Sequence, residues 1–376
     1  MHSPKLYRPL IPLLLGTVIT TACSRAEPPS TAQATEPVAV VQASPEAPPA
    51  AEPEPPALPE VIVLSGPEAV EAWLQSENWW GDVNREEPLK APHVILAGIN
   101  PAWSAAAQEL TVPQKKQLFY RLMLPLVMHA NARVLEFRDG LQQAQNELDS
   151  DGAVSPESLA LLQRLAILLP DEAAQYSDAL ANNGPELAGM ISKLLYQVDV
   201  VPAGLALGQA AYESGYGTSR FAVQGNSLFG QWTYKGDGIV PGKQRKSLGN
   251  HQIKAFDWPF DSVRGYYINL MSHPAYEDFR RLRAERRAAG EPLDSLALAD
   301  GLVKYSERGQ EYVDSLKGMI RSNDLDIADE VVFRDEALRF IISEPDPEAA
   351  ARLELDIERM RANGELGEIV ERMQLD

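Results

Sequence analysis

Glu213 closes an apolar run, Ala206-Leu-Gly-Gln-Ala-Ala-Tyr-Glu213, and Ser-Gly-Tyr-Gly217 follows it at once. A second cluster, Asn226-Ser-Leu-Phe-Gly-Gln-Trp232, comes a few residues later. A carboxyl group in this setting suits the cleavage of a glycosidic bond. That reaction needs an acid that is still protonated near neutral pH and donates to the leaving oxygen. Three features keep the proton on Glu213. Burial at the end of an apolar helix disfavours the charged form. The unpaired carbonyls of a helix C-terminus present negative potential. Tyr212 and Tyr216 flank the carboxyl with rings that exclude water.

A partner for this acid has few sources. Between Glu213 and Tyr276 the acidic residues are Asp237, Asp257 and Asp261. Asp237 lies in a Gly-Asp-Gly segment that can approach from across a cleft, and it ranks first as the base that activates water. Asp261 suits the cap of the next helix. Asp257 has no evident role. Assistance by a sugar 2-acetamido group is the alternative, and it requires no close base. Phe229, Trp232 and Tyr234, with Trp258 and Tyr266, place aromatic rings near the same cleft. A short lobe cannot bury all of them, so Trp232 and Tyr234 are expected as exposed platforms for sugar rings. Other chemistries find little support. Gly225-Asn-Ser-Leu-Phe-Gly230 is off the spacing of a nucleophile elbow. The histidines show no metal-binding pair, no loop is built to cradle phosphate, and no metal or cofactor is expected.

The elements that must hold these residues read as mostly helical. Pro202 opens the helix that ends in Glu213, and Gly215 or Gly217 stops it. Leu205, Gln209 and Tyr212 are read on one of its faces, Ala206, Ala210 and Glu213 on another. Upstream, Ser65-Gly-Pro67 starts a short helix, and Leu89 to Ile99 is partly extended. Apolar residues at helical spacing run from Pro113 to about Leu148, with a kink or break expected at Pro125. Two further helices cover Ser155 to Leu169 and Glu186 to Tyr196. Between Leu228 and Phe256, six glycines and prolines punctuate short aromatic and β-branched pieces, the texture of an irregular β-hairpin lobe. Helices resume over Asp261–Met271, Pro274–Ala289, Leu293–Tyr305 and Glu311–Ile320, and an acidic helix runs from Ala349 to about Met373. The fold class is mainly α (α+β).

The stretch from Leu205 to Tyr234, with Gly236-Asp-Gly-Ile-Val-Pro241, His273-Pro-Ala-Tyr276 and Tyr305-Ser-Glu-Arg-Gly309, resembles the glucosaminidase domain of glycoside hydrolase family 73. The likeness is greatest to its Bax-like branch of exported bacterial proteins. It covers roughly Pro113 to Leu325. The resemblance implies a lysozyme-like helical domain with a small β-hairpin lobe and Glu213 in the place of the catalytic acid. It implies hydrolysis of the β-1,4 bond after N-acetylglucosamine in peptidoglycan. It puts Tyr305 at the family's active-site tyrosine, with Tyr312 on the same face if the helix continues. This sequence departs from the family where Asn normally precedes Leu-Phe-Gly: here it is Ser227, with Asn226 one step earlier, and either can bind substrate or close the turn. A muramidase, a lytic transglycosylase or a non-catalytic glycan-binding envelope protein are the competing readings.

The remainder of the chain organises delivery. Lys5 and Arg8 precede an apolar run, Leu10 to Thr20, that is too short to span a bilayer comfortably. Cys23, the one cysteine, excludes an intramolecular disulfide framework. Its place after that run resembles a bacterial lipoprotein signal, in which the cysteine is lipidated, although Thr20 stands where Leu is usual. Ser24 is compatible with outer-membrane sorting. From Glu27 to Glu60 lie ten of the chain's 29 prolines and no Lys or Arg, a composition unable to offset ordering entropy. The expected organisation is a signal peptide (1–22), a lipid-anchored linker (23–60), an N-terminal flank (61–112), the glucosaminidase domain (113–325) and a C-terminal helical extension (326–376). The formal net charge of -19 makes nucleic acid an unsuitable partner. Periplasmic glycan strands, an outer-membrane anchor and a monomer are expected.

Overall fold

A computed structural model describes residues 58–81, 88–99, 106, 109–169, 176–234, 236, 238–242 and 251–363. The expected signal peptide, Cys23 and nearly all of the linker lie outside the described residues, as does Asp237.

A 40-residue helix forms the axis of the fold. After strand β1 (Glu60–Leu64), helix α1 (Pro67–Ser76) and strands β2 (Lys90–Ala91) and β3 (Val94–Ile99), helix α2 runs from Val112 to Asp151. Thr111 and Gln114 close a capping box at its start, and Gly152 ends it at φ 73°. Of the kink or break that the sequence predicts at Pro125, the break does not occur: the proline lies inside the helix. A proline inside a helix costs about 3 kcal/mol. Here Leu122 to Met128 are all buried, so the packing of an unbroken run of side chains outweighs one lost backbone bond.

The helices that follow are α3 (Pro156–Leu168), α4 (Ser177–Asn182), α5 (Leu187–Gln197), α6 (Ala203–Ser214) and α7 (Arg220–Gly225), of which α3, α5 and α6 pack on this axis. Strands β4 (Trp232–Thr233), β5 (Gly238–Ile239) and β6 (Gln252–Lys254) then make an antiparallel sheet in the order β4-β6-β5. This is the expected lobe, joined to the body by backbone bonds such as Phe256 N–H to Gly225 O at 2.9 Å. Helix α8 (Pro259–Ser272) leads to α9 (Glu277–Ala289) and the short α10 (Ser295–Leu298). Residues Ala299–Tyr305 are a kinked 3-10 segment instead of a continuing α-helix. Helix α11 (Gln310–Ser322) and a 3-10 turn (Leu325–Glu330) complete the helical body.

Chain segments on either side of that body meet. Strand β8 (Arg339–Ser343) lies between β1 and β3 in a parallel sheet, pairing Arg339 with both Glu60 and Val94. Strand β7 (Val332–Phe333) pairs with β2. Glu77 holds the Arg339 guanidinium at 2.7 and 2.9 Å. The N-terminal flank and the start of the C-terminal extension thus form one layer, and its buried Leu74, Trp79 and Ile341 join the same apolar core as the helices. Helix α12 (Pro347–Asn363) follows, and the rest of the expected acidic helix lies outside the described residues. The chain is mainly helical with small sheets, a lysozyme-like build.

Candidate active site

Helix α6 carries Glu213, and its sequence explains its place at the centre. Every residue from Ala203 to Ala211 is buried. Small side chains let neighbours come close: a Cβ at Gly208 would stand 3.1 Å from Leu316 and Ile320 of α11. The first turn is tied down by Asp329, which accepts from Gly204 N–H at 2.9 Å and from the Ser295 hydroxyl at 2.7 Å. Its other oxygen takes the Ser295 N–H at 2.8 Å. Burial raises the Asp329 pKa to about 6.

The C-terminus turns abruptly. Gly215, Tyr216 and Gly217 take φ of 58°, 57° and 73°, a left-handed run in which only the tyrosine bears strain. Packing offsets that strain. The Tyr216 ring meets Phe119 and Tyr120 edge-on at 6.0 and 5.9 Å, and Lys116 lies over it at 5.6 Å. The Ser214 hydroxyl, buried under the turn, accepts from Gly217 N–H at 2.8 Å.

Around Glu213 the surroundings are aromatic. Burial raises its pKa, and a hydrogen bond donated by the Tyr312 hydroxyl acts in the opposite direction. The Tyr312 ring stacks on Tyr305 at 5.5 Å and meets Tyr212 edge-on at 5.4 Å. Tyr276 lies 5.6 Å from Tyr305, ring to ring. Both Tyr276 and Tyr305 are close enough for the Glu213 charge to push their hydroxyls further up in pKa, beyond what burial does. The lobe closes the other side. Gly230 turns at φ 63°, and a Cβ there would approach a Glu213 carboxylate oxygen to 3.8 Å. The Tyr305 hydroxyl donates to the carbonyl of Phe229 at 3.1 Å and so fixes that turn over the acid.

The other candidate residues have distinct fates. Asn226 closes the turn after α7: its φ is 49°, and its amide donates to the carbonyls of Phe256 and Asp257, both at 3.0 Å. Ser227 is 2% exposed and its hydroxyl has no partner among the described residues. Phe229 is buried and stacked on Tyr266 at 4.0 Å, so it offers no free face. Trp232 and Tyr234 remain open, 48% and 69% exposed, and Trp232 rests on the His251 ring at 4.5 Å. Asp261 accepts from Trp258 N–H at 3.2 Å at the start of α8. Of the two tyrosines flanking Glu213 in sequence, Tyr212 joins the aromatic wall and Tyr216 packs with Phe119 and Tyr120.

Sequence reasoning missed Gln209. It donates to the Tyr312 hydroxyl at 3.0 Å and accepts from Tyr266 at 2.5 Å. The signal was present: Gln209 lies one turn before Glu213, on the same helical face, and is polar in an otherwise apolar run.

A carboxyl group whose proton affinity burial raises, roofed by a glycine turn and walled by stacked tyrosines in a lysozyme-like body, fits the glycoside hydrolase class. The comparisons agree with that class. The family described as mannosyl-glycoprotein endo-beta-N-acetylglucosaminidase (Glucosaminidase) matches residues 190–325. The protein named "Protein bax" of Escherichia coli (strain K12) is 32% identical over 210 residues, which covers 56% of this chain and 70% of that protein. No solved structure matches. The chain belongs to the Bax-like family of glucosaminidase-domain proteins.

Proposed function

We propose that this chain is an exported peptidoglycan hydrolase, an endo-β-N-acetylglucosaminidase that cleaves β-1,4 bonds of cell-wall glycan with Glu213 as general acid. The observation that carries the reading is the desolvated carboxyl of Glu213 beneath Gly230, its proton affinity raised by burial. In the proposed reaction Glu213 gives its proton to the leaving sugar oxygen as positive charge develops on the neighbouring ring. Water then attacks the anomeric carbon and gives its proton to Asp237 or, where the substrate's own 2-acetamido oxygen has bonded that carbon first and is displaced by the water, to the Glu213 carboxylate left by the first step. Tyr305 and Tyr312 are the wall against which Glu213 works. The exposed rings of Trp232 and Tyr234 supply apolar faces for pyranose C–H groups.

In the same proposal Cys23 carries a lipid that anchors the chain to the outer membrane. Residues 23–60 let the domain, as a monomer, reach glycan strands in the periplasm. Radiolabelled fatty acid should appear on the wild-type chain and not on Cys23→Ala.

The test of the activity is mass spectrometry of digested sacculi. Fragments ending in reducing N-acetylglucosamine support it. Reducing N-acetylmuramic acid or an anhydro product would make the chain a muramidase or lytic transglycosylase, and binding with no released fragment would make it a glycan-binding protein. Glu213→Gln should lower turnover by about 10²–10⁴-fold, the usual contribution of a general acid.

A further inference from the structure

We propose that Gln209 and Tyr266 are positioning residues that aim the hydroxyl proton of Tyr312 at Glu213. This rests on Glu213 being the working acid of the proposed hydrolase. The three residues form a buried line: the Tyr266 hydroxyl meets Gln209 Oε1 at 2.5 Å, and Gln209 Nε2 meets the Tyr312 hydroxyl at 3.0 Å. Gln209 and Tyr266 are fully buried, and Tyr312 is 1% exposed.

The sense of the line follows from counting protons. A tyrosine hydroxyl has one proton, and an amide has a donor end and an acceptor end. Among the described residues, Gln209 is the one acceptor that the Tyr266 hydroxyl reaches. Tyr266 must therefore donate, and the amide must turn its oxygen toward it. Its NH₂ then faces Tyr312, whose oxygen accepts. The Tyr312 proton has to point elsewhere, and Glu213 receives it. Stacking on Tyr305 and the edge of Tyr212 hold the Tyr312 ring, so rotation of the hydroxyl is the freedom left to be fixed.

Two consequences separate this from mere packing. A hydrogen bond to the charged form favours it, so the line restrains the rise in proton affinity that burial imposes on Glu213. It also acts at a distance: Tyr266 influences Glu213 only through Gln209 and Tyr312. With the Tyr266 hydroxyl removed, the amide is free to turn over. Its oxygen then competes for the Tyr312 proton and draws it away from Glu213.

The test is a direct titration of Glu213 by carbon-13 NMR in protein labelled at the glutamate carboxyl carbon. Its signal is assigned by its loss in Glu213→Gln. Tyr266→Phe should raise the midpoint by about half to one pH unit, the scale of one hydrogen bond. Tyr312→Phe should raise it too. The double variant should titrate like Tyr312→Phe alone, because the two act in series. Gln209→Met combined with Tyr266→Phe removes both the competing acceptor and the orphaned hydroxyl, and it should titrate like wild type. It also serves if Tyr266→Phe folds poorly. A wild-type midpoint in folded Tyr266→Phe, additive shifts in the first double variant, or a raised midpoint in the second would each overturn the proposal. The alkaline limb of glycan cleavage should move with the midpoint. If the wild-type protein releases no fragments, the hydrolase reading fails, and the NMR titration still decides the wiring.

Discussion

At the scale of the residue, Glu213 sets function against stability. Its folded pKa is raised by burial, so the folded state binds a proton more tightly than the unfolded chain does. For a carboxyl group of this kind the stabilising contribution is complete below the unfolded value, 4.5, and is lost as pH rises through the higher folded value. At neutral pH the protein therefore carries a desolvated carboxyl that works against folding. Glu213→Gln keeps the shape and an oxygen to accept from Tyr312 while removing the charge. It should melt at a higher temperature than wild type at pH 7, and the difference should shrink toward pH 4. Differential scanning calorimetry at both pH values checks this; a variant less stable than wild type at pH 7 would mean that the carboxylate is well solvated. The same residue governs rate in the opposite sense. Glu213 must hold its proton to act, so the proposed activity should fall as pH rises through its folded pKa, along a limb lying above 4.5.

At the scale of the element, the site is a helix clamped at both ends. The far end depends on Ser295, fully buried, which gives Asp329 both its hydroxyl and its N–H. Ser295→Ala removes the hydroxyl bond to a buried acceptor that Gly204 also needs. The expected loss is about 1–3 kcal/mol. Because that bond lowers the Asp329 pKa, losing it should also move the group above its wild-type value of about 6. Urea denaturation measures the first effect, and a carboxyl titration the second. Elements of this kind differ in how far the sequence exposes them. The run that ends at Glu213 was legible because proline, apolar residues and glycine mark its start, length and end locally. Trp232 and Tyr234 were legible as exposed rings because the lobe is too short to cover them. The continuity of α2 through Pro125 was not legible, because the residues that outweigh the proline are packed by distant segments. The burial of Phe229 is not legible in the same way, because no local pattern shows that Tyr266 lies flat against it. Gln209 is read on the face of Tyr212, and both do meet Tyr312; what the local pattern does not show is that Tyr266, far along the chain, reaches the same amide.

At the scale of the whole molecule, the layer built from both flanks is joined to α2 through an imidazole pair. His129 of α2 stacks on His93 at 4.9 Å, and Phe333 of β7 lies against both rings at 4.6 Å. His93 is fixed from the C-terminal side, since its N–H donates to the Glu336 carboxylate at 2.8 Å. The sequence could not announce this joint: its members lie far apart in the chain, and parallel pairing of β8 with β1 and β3 leaves no turn to read. Burial, reinforced by the neighbouring His93, lowers the His129 pKa to about 3, and its buried Nε2 has no partner among the described residues. The sign follows from proton binding. Between 6.5 and about 3 the unfolded chain takes up a proton that folded His129 refuses, so stability falls as pH falls across that window. One such group contributes a slope of at most about 1.4 kcal/mol per pH unit. Glu77 adds to the loss at the acid end. Its hydrogen bond from Arg339 lowers its pKa, so its contribution is full above 4.5 and fades as pH drops through the folded value. The two can be separated by where they act. His129→Phe keeps an aromatic ring in the stack and removes the titration, so its denaturation midpoint should fall less steeply than that of wild type between pH 6.5 and 5. Glu77→Gln should cost stability at pH 7 and leave the slope between 6.5 and 5 unchanged. Equal slopes for wild type and His129→Phe would show that the His129 imidazole is protonated within the folded protein, and that its burial does not exclude the proton.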